Sequence, residues 1–232
     1  MSPQDRPRVY LSTAMSADGF IDDTSGRRLI LSSAEDLDAV DALRASCDAI
    51  LVGAGAIRFD NPRLVIRSEQ RRQDRRARGL PPDPIKVTLT RQGNLDVRAS
   101  FFQAGDALKL VYCPRGIAGA IRSSLGDVAT VVAAGEEAVS LARVLADLFA
   151  RGVRTLLIEG GTAVNTLFLS AGLVDELRLA VAPFFVGDEG APRLVRAGRF
   201  PHDSEHRMIL TKVERLGDVA VLWYLPVAGS SS

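Results

Sequence analysis

Three short segments combine residue types and spacings that can do chemistry. The first is Leu156-Leu157-Ile158-Glu159-Gly160-Gly161-Thr162-Ala163-Val164. An apolar run ends in an acid, two glycines follow, and helical spacing begins. Glycines let backbone N–H groups approach an anion closely, and a helix start adds unpaired donors and a favourable dipole. A phosphate or pyrophosphate fits such a turn. The same Gly pair also serves as a plain strand-to-helix turn. Glu159 sharpens the binding reading, because strand C-termini in open α/β sheets line the ligand crevice.

The second segment runs Ile50-Leu51-Val52-Gly53-Ala54-Gly55-Ala56 and on through Asp60-Asn61-Pro62 to Leu64 and Arg67. A buried strand feeding Gly53-Ala54-Gly55 would again allow close backbone approach. No third glycine follows at the dinucleotide spacing. Asp60, Asn61 and Arg67 are expected in a loop with Pro62, where an Asx-turn is the structural alternative. The third segment, Ser16-Ala17-Asp18-Gly19-Phe20, follows the first apolar stretch and reads equally well as a turn.

Other chemistries lack parts. Cys47 and Cys113 are the two cysteines, and neither has a Cys or His close by, so no zinc cluster or other metal set is expected. His202 and His206 sit beside a proline and read as surface residues. There is no Gly-x-Ser-x-Gly elbow and no Walker-type loop. Six arginines crowd into Arg67–Arg78, ahead of Gly79-Leu80-Pro81-Pro82-Asp83-Pro84. The expectation there is a solvated loop, with an anion-binding rim as the sharper alternative. RNA binding would want interleaved aromatics, which the stretch lacks.

The elements that must position these residues follow from hydrophobic period. Strands are expected at Arg8–Met15, Ala49–Val52, Ile85–Leu89, Leu108–Tyr112, Val128–Val132 and Thr155–Ile158. A helix is expected after Ser32-Ser33, with Leu37, Val40, Leu43 and Cys47 as its apolar stripe. A second carries Leu141, Val144, Leu145, Leu148 and Phe149, capped by Ser140 and ended by Gly152. A third runs Thr162–Ala171. After residue 173 the pattern alternates, and Met208–Val213 and Val219–Tyr224 flank the turn signal Leu216-Gly217-Asp218. The chain of 232 residues is therefore expected to be a single α/β domain, core about 8–226, with a central mostly parallel sheet flanked by helices and a C-terminal antiparallel hairpin; residues 229–232 are expected to be disordered. With 29 basic and 28 acidic residues, the net charge of +1 offers no global attraction for nucleic acid. No apolar run reaches membrane-spanning length and no signal-peptide core is visible near Met1, so the expectation is a cytoplasmic protein without membrane contact.

Taken in order, Ser16-x-Asp18-Gly19, the run from Asp48 through Gly53-Ala54-Gly55 to Asp60-Asn61-Pro62-x-Leu64-x-x-Arg67, Glu159-Gly160-Gly161, and Leu173–Leu177 followed by Ala182-Pro183 and Gly187 resemble the reductase domain of the riboflavin-biosynthesis deaminase/reductase family. The resemblance runs from about Val9 to about Leu225 and implies the dihydrofolate-reductase-like fold. It implies an NADPH-dependent reductase of a ribosylaminopyrimidine 5′-phosphate, like 5-amino-6-(5-phosphoribosylamino)uracil reductase, with hydride passing from nicotinamide C4 to the sugar C1′. It also implies a stand-alone reductase without the fused deaminase, and a homodimer. Asp60 and Glu159 match catalytic positions. Ala14, Ile30, Ala56, Asp60, Arg91 and the turn Gly161, Thr162, Ala163, Val164, Asn165, Thr166 and Leu167 match cofactor positions, with Arg91 a candidate for the cofactor 2′-phosphate. Arg28, Arg44, Leu64, Arg67 and Glu159 match substrate positions. Two departures stand out: Phe20 replaces a basic residue, and Ala56 replaces a threonine. A pterin-type reductase on the same fold and a nucleotide- or RNA-binding module are the competing readings.

Overall fold

A computed structural model describes residues 5–27 and 29–226; the tail 229–232 and Arg28 lie outside the described residues. In chain order the elements are β1 (Arg8–Ser16), α1 (Ala34–Ser46), β2 (Ala49–Gly53), α2 (Ala54–Asp60), α3 (Glu69–Ala77), β3 (Ile85–Leu89), α4 (Ser100–Gln103), β4 (Lys109–Cys113), α5 (Arg115–Leu125) and β5 (Thr130–Ala133). Then follow α6 (Leu141–Ala150), β6 (Thr155–Ile158), α7 (Thr162–Ser170), β7 (Glu176–Ala182), β8 (Ile209–Leu216) and β9 (Val219–Leu225). They gather into two compact units, Met1–Arg8 with Asp41–Leu157, and Val9–Val40 with Ile158–Ser232.

In the first unit the strand order is β5-β4-β3-β2-β6, and β2 to β5 are parallel. All five residues of β2 are buried, as a strand covered on both faces requires. Ser140 caps α6 by accepting from the Arg143 amide, and Val144, Leu145 and Leu148 form its buried face, as the spacing predicts. The expected strand at Val128–Val132 starts later. Gly126–Val128 make a 3₁₀ turn and β5 begins at Thr130.

The arginine-rich stretch is not a loop. Glu69–Ala77 form α3, capped by Ser68, which accepts the Arg71 amide at 3.3 Å. Arginine, glutamine and glutamate are good helix formers, and Glu69 pairs with Arg72 and Arg76 on the same helix. Arg75 is 2% exposed. Its guanidinium donates to the carbonyls of Ala45 and Cys47, which the end of α1 leaves open, and to that of Pro81, all at 2.8–2.9 Å. The run is structural along much of its length.

In the second unit the order is β1-β7-β9-β8, parallel between β1 and β7 and antiparallel thereafter. Leu216 pairs with Val219, leaving Gly217-Asp218 as the predicted two-residue turn. Gly217 has φ +63°, and a Cβ there would meet Glu35 and Ser33 at about 3 Å, so glycine is required twice over. Ser33 caps α1 by accepting the Asp36 amide at 3.1 Å, and its hydroxyl donates to the Leu216 carbonyl.

The face of α1 differs from the predicted stripe. Leu37, Val40 and Leu43 are half-buried, whereas Asp36 and Asp41 are buried. Asp36 forms an ion pair with Arg178 of β7, whose guanidinium also reaches Ser12 and lies over the Trp223 ring. A buried carboxylate persists because a buried cation faces it, which helical period cannot reveal. Asp36→Ala strands the Arg178 charge and is expected to lower unfolding free energy by about 3–5 kcal/mol, read from the shift of the urea midpoint.

Candidate active site

In the first unit the candidate positions fall on one helix end and one irregular segment. Gly53 sits at an ordinary extended φ of −72° and leads straight into α2. Gly55 lies inside that helix, in open space. The Gly53-Ala54-Gly55 run therefore makes a strand-to-helix junction, not the glycine-rich anion loop expected from spacing. Ala56 is half-buried on α2, and Asp60 is the exposed last residue of the helix rather than part of a loop. Asn61 follows in the left-handed region, closing α2. Arg91 is exposed just past β3.

Residues 61–68 then run without helix or strand and carry the predicted substrate positions. Leu64 is 2% exposed with φ +48°. Arg44 donates from Nη1 to the Val65 carbonyl at 3.3 Å. The Arg67 side chain is 54% exposed, with Nε 3.9 Å from the Asp41 carboxylate. Burial would raise the Asp41 carboxyl, but the Arg67 and Ser68 amides and the Arg71 guanidinium hold it below its ordinary range. Arg44, on α1, thus anchors the segment that carries Leu64 and presents Arg67 to solvent.

In the second unit the candidate positions fall on two turns and a strap. At the end of β1, with Ala14 half-buried within it, Asp18 accepts from Ser16 Oγ at 2.5 Å and from the amides of Val186 and Gly187 at 3.1 and 2.8 Å. The Ser-x-Asp-Gly motif is thus a clamp between two loops of this unit. Phe20 is 3% exposed, so it is core. The Arg193 guanidinium lies 4.3 Å over its ring and donates to the Asp18 carbonyl at 3.3 Å. The surface above Phe20 stays cationic, although residue 20 itself is not. Ile30 is 73% exposed nearby in sequence.

After β6, Glu159 is half-buried, and Gly160 and Gly161 take φ +83° and +92° before α7 begins. A Cβ on Gly160 would stand 3.3 Å from Asn165 Oδ1. The N-cap Gly161 has no side chain to cap α7, so the first-turn amides of the helix are offered outward. Residues 193–196 cross the start of α7. Thr162 donates to the Arg193 carbonyl at 2.6 Å, Asn165 Nδ2 to the Leu194 carbonyl at 3.1 Å, and the Arg196 amide donates to Thr166 at 2.9 Å. The Thr162 and Thr166 hydroxyls are therefore occupied by the strap. Asn165 is fully buried, and its Oδ1 has no hydrogen-bond partner among the described residues. Val164 is buried in the core, while Ala163 and Leu167 are exposed. Arg193 and its strap are the functional candidates that the sequence does not announce; more than 150 residues separate Arg193 from the Phe20 beneath it, and no motif marks it.

The Asp18 clamp has a measurable signature. Desolvation pushes the carboxyl up, but the Ser16 hydroxyl and the Val186 and Gly187 amides outweigh it and hold it at about 2. A depressed carboxyl stabilises the fold above its unfolded value of 3.8, and that contribution disappears as pH falls through about 2. Acid titration followed by circular dichroism should show this loss across that window in the wild type and not in Asp18→Asn.

The RibD C-terminal domain family matches residues 7–222. The chain is 35% identical over 213 residues to a 2,5-diamino-6-ribosylamino-4(3H)-pyrimidinone 5′-phosphate reductase of Archaeoglobus fulgidus, covering 92% of this chain and 95% of that one. A Methanothermobacter thermautotrophicus protein of the same name is 35% identical over 192 residues, covering 82% and 84%. Among solved structures, Acinetobacter baumannii RibD superposes with TM-score 0.79 at 24% identity, covering 96% of this chain, which spans 59% of that protein. A pyrimidine reductase-like protein from Corynebacterium diphtheriae gives TM-score 0.79 at 24% identity over 95% of this chain and 92% of its own. The fold is the mostly parallel α/β arrangement that these proteins share. With 216 of its residues under one family match and these relatives alongside, the chain belongs to the RibD C-terminal domain family.

Proposed function

We propose that this chain is a nicotinamide-nucleotide-dependent reductase of a ribosylaminopyrimidine 5′-phosphate, using NADPH in riboflavin biosynthesis. The observation that carries the reading is 35% identity across 92% of the chain to a reductase named for such a substrate. That name also favours the diaminopyrimidinone over its deaminated uracil counterpart. Relatives named RibD from Bacillus amyloliquefaciens and Corynebacterium ammoniagenes are 29% and 30% identical. Nothing in the fold or the relatives favours the pterin reading, and the ion pairs and carbonyls that engage α3 weaken the RNA reading.

The residues of the second unit fit the cofactor. The paired positive-φ glycines leave a backbone turn free of side chains, the uncapped start of α7 offers amides to a pyrophosphate, and the orphaned Asn165 Oδ1 can accept from a hydroxyl or carboxamide. When bound, the dihydronicotinamide supplies the hydride. Gly160, Gly161 and Asn165 would hold the cofactor, and Arg193, whose carbonyl accepts from Thr162, would offset charge on its pyrophosphate. In the first unit, Arg67 and Arg44 supply guanidinium forks suited to the substrate phosphate. Glu159 would accept from sugar hydroxyls or ring amino groups. Reduction of the C1′ imine takes a hydride at carbon and a proton at nitrogen. The chain's part in that step is binding and orientation.

A homodimer in a cytoplasmic setting belongs to the same reading. Strand β8 ends its sheet with Ile209, Leu210 and Val213 exposed, a surface suited to a second copy. Val213→Glu should shift the protein towards monomer in analytical ultracentrifugation.

The enzymatic test incubates the protein with each phosphorylated pyrimidine and with NADPH or NADH, following cofactor absorbance. Substrate-dependent oxidation with the diaminopyrimidinone, and none with dihydrofolate, is expected; no oxidation with either pyrimidine refutes the reading. Arg67→Ala should raise KM for the phosphorylated substrate roughly 10–150-fold, the loss of a charge-assisted contact of about 1.5–3 kcal/mol. Turnover of dihydrofolate that survives Arg67→Ala would instead favour the pterin enzyme.

A further inference from the structure

The segment 61–68 is held in a conformation that a simple connection between α2 and α3 does not need. Two residues other than glycine, Asn61 and Leu64, have φ of +44° and +48°. For a buried leucine this is strained backbone, and such strain persists only where the surroundings over-determine it. Here the surroundings are charged side chains. Lys86 on β3 donates to the Arg63 carbonyl at 2.6 Å. Arg44 donates to the Val65 carbonyl, and Asp83 accepts the Ile66 amide at 2.8 Å. Asp41 accepts the Arg67 amide at 2.6 Å and the Ser68 amide at 3.1 Å.

Three of these groups are themselves buried: Lys86 at 0%, Asp41 at 1% and Asp83 at 2% exposure. Lys86 also bonds the Phe101 and Ala104 carbonyls, so its ammonium ties the segment to α4. An exposed linker would let water take these peptide groups. Burying a lysine and two aspartates to do the same task is expensive unless the conformation matters.

We propose that Lys86, Asp83 and Asp41 are positioning residues for the reaction, locking residues 63–68 so that Arg67 meets the substrate phosphate in one fixed place. The proposal rests on the reductase reading above. It makes these three residues act through the backbone, without touching substrate. A purely structural role would lower stability and leave substrate affinity alone.

The test compares wild type with Lys86→Met, Asp41→Asn and, as a surface control on α3, Arg76→Ala. Steady-state kinetics are measured with the phosphorylated pyrimidine, and amide hydrogen exchange is measured over 61–68. In Lys86→Met and Asp41→Asn, substrate KM should rise about tenfold while kcat changes by less than about threefold and cofactor KM stays put. Exchange at Ile66, Arg67 and Ser68 should be slow in wild type and several-fold faster in both variants, and Arg76→Ala should match wild type. Asp41→Asn keeps the side-chain shape and one acceptor, so it provides a folded variant if Lys86→Met does not. Wild-type exchange at these amides as fast as in exposed loops overturns the proposal, as does a folded, destabilised variant with wild-type KM. Failure of the reductase reading looks different: the wild type itself then reduces no phosphorylated pyrimidine, and Arg67 loses the role assigned to it.

Discussion

The peptide groups of residues 63–67 lie in no ladder or helix, and Leu64 and Arg67 are carried on them. Their partners are the carboxylates of Asp41 and Asp83, the ammonium of Lys86 and the guanidinium of Arg44. Each of these charges is tolerated inside because it meets a fixed dipole or a counter-charge. Asp41 faces Arg71 at 3.0 Å, and Asp83 faces Arg72 at 3.5 Å. Burial, with Lys109 nearby, pushes the Lys86 ammonium down to about 8, but three carbonyls receive it. The arrangement exchanges hydrophobic stability for a defined backbone.

The second unit solves a similar problem with a strap. Residues 193–196 use backbone carbonyls and amides to occupy Thr162, Asn165 and Thr166, and they bring Arg193 over Phe20. What the strap leaves is the glycine turn, the start of α7 without a side-chain cap, and the buried Oδ1 of Asn165, which has no hydrogen-bond partner among the described residues. The amides of a helix start complement an anion, and a carboxamide oxygen complements an N–H or O–H donor. Phe20 is covered by the Arg193 guanidinium, which comes from elsewhere in the chain.

Much of the fold is legible in the sequence. The apolar runs at Ile85–Leu89 and Thr155–Ile158 are strands at the predicted bounds, and Ser140, Gly152 and Gly217 punctuate as expected. Short-range period and turn chemistry are local properties, so a sequence displays them. The failures share one cause. The arginine stretch read as a solvated loop because charge usually means solvent, yet Arg75 is core and α3 is a helix. The stripe on α1 read as apolar, yet Asp36 and Asp41 lie deeper than its leucines.

The sequence by itself determined the order of elements, the glycine turn before α7 and the motifs that mark the family. Only the tertiary structure decided which charges go inside and which stay exposed. A charged side chain is buried when a partner distant in sequence supplies a counter-charge or a carbonyl, as Arg178 does for Asp36 and Arg63 for Lys86. No local pattern encodes that meeting. The same reason hid Arg193 and the frame behind Arg67, while leaving Glu159-Gly160-Gly161 in plain view.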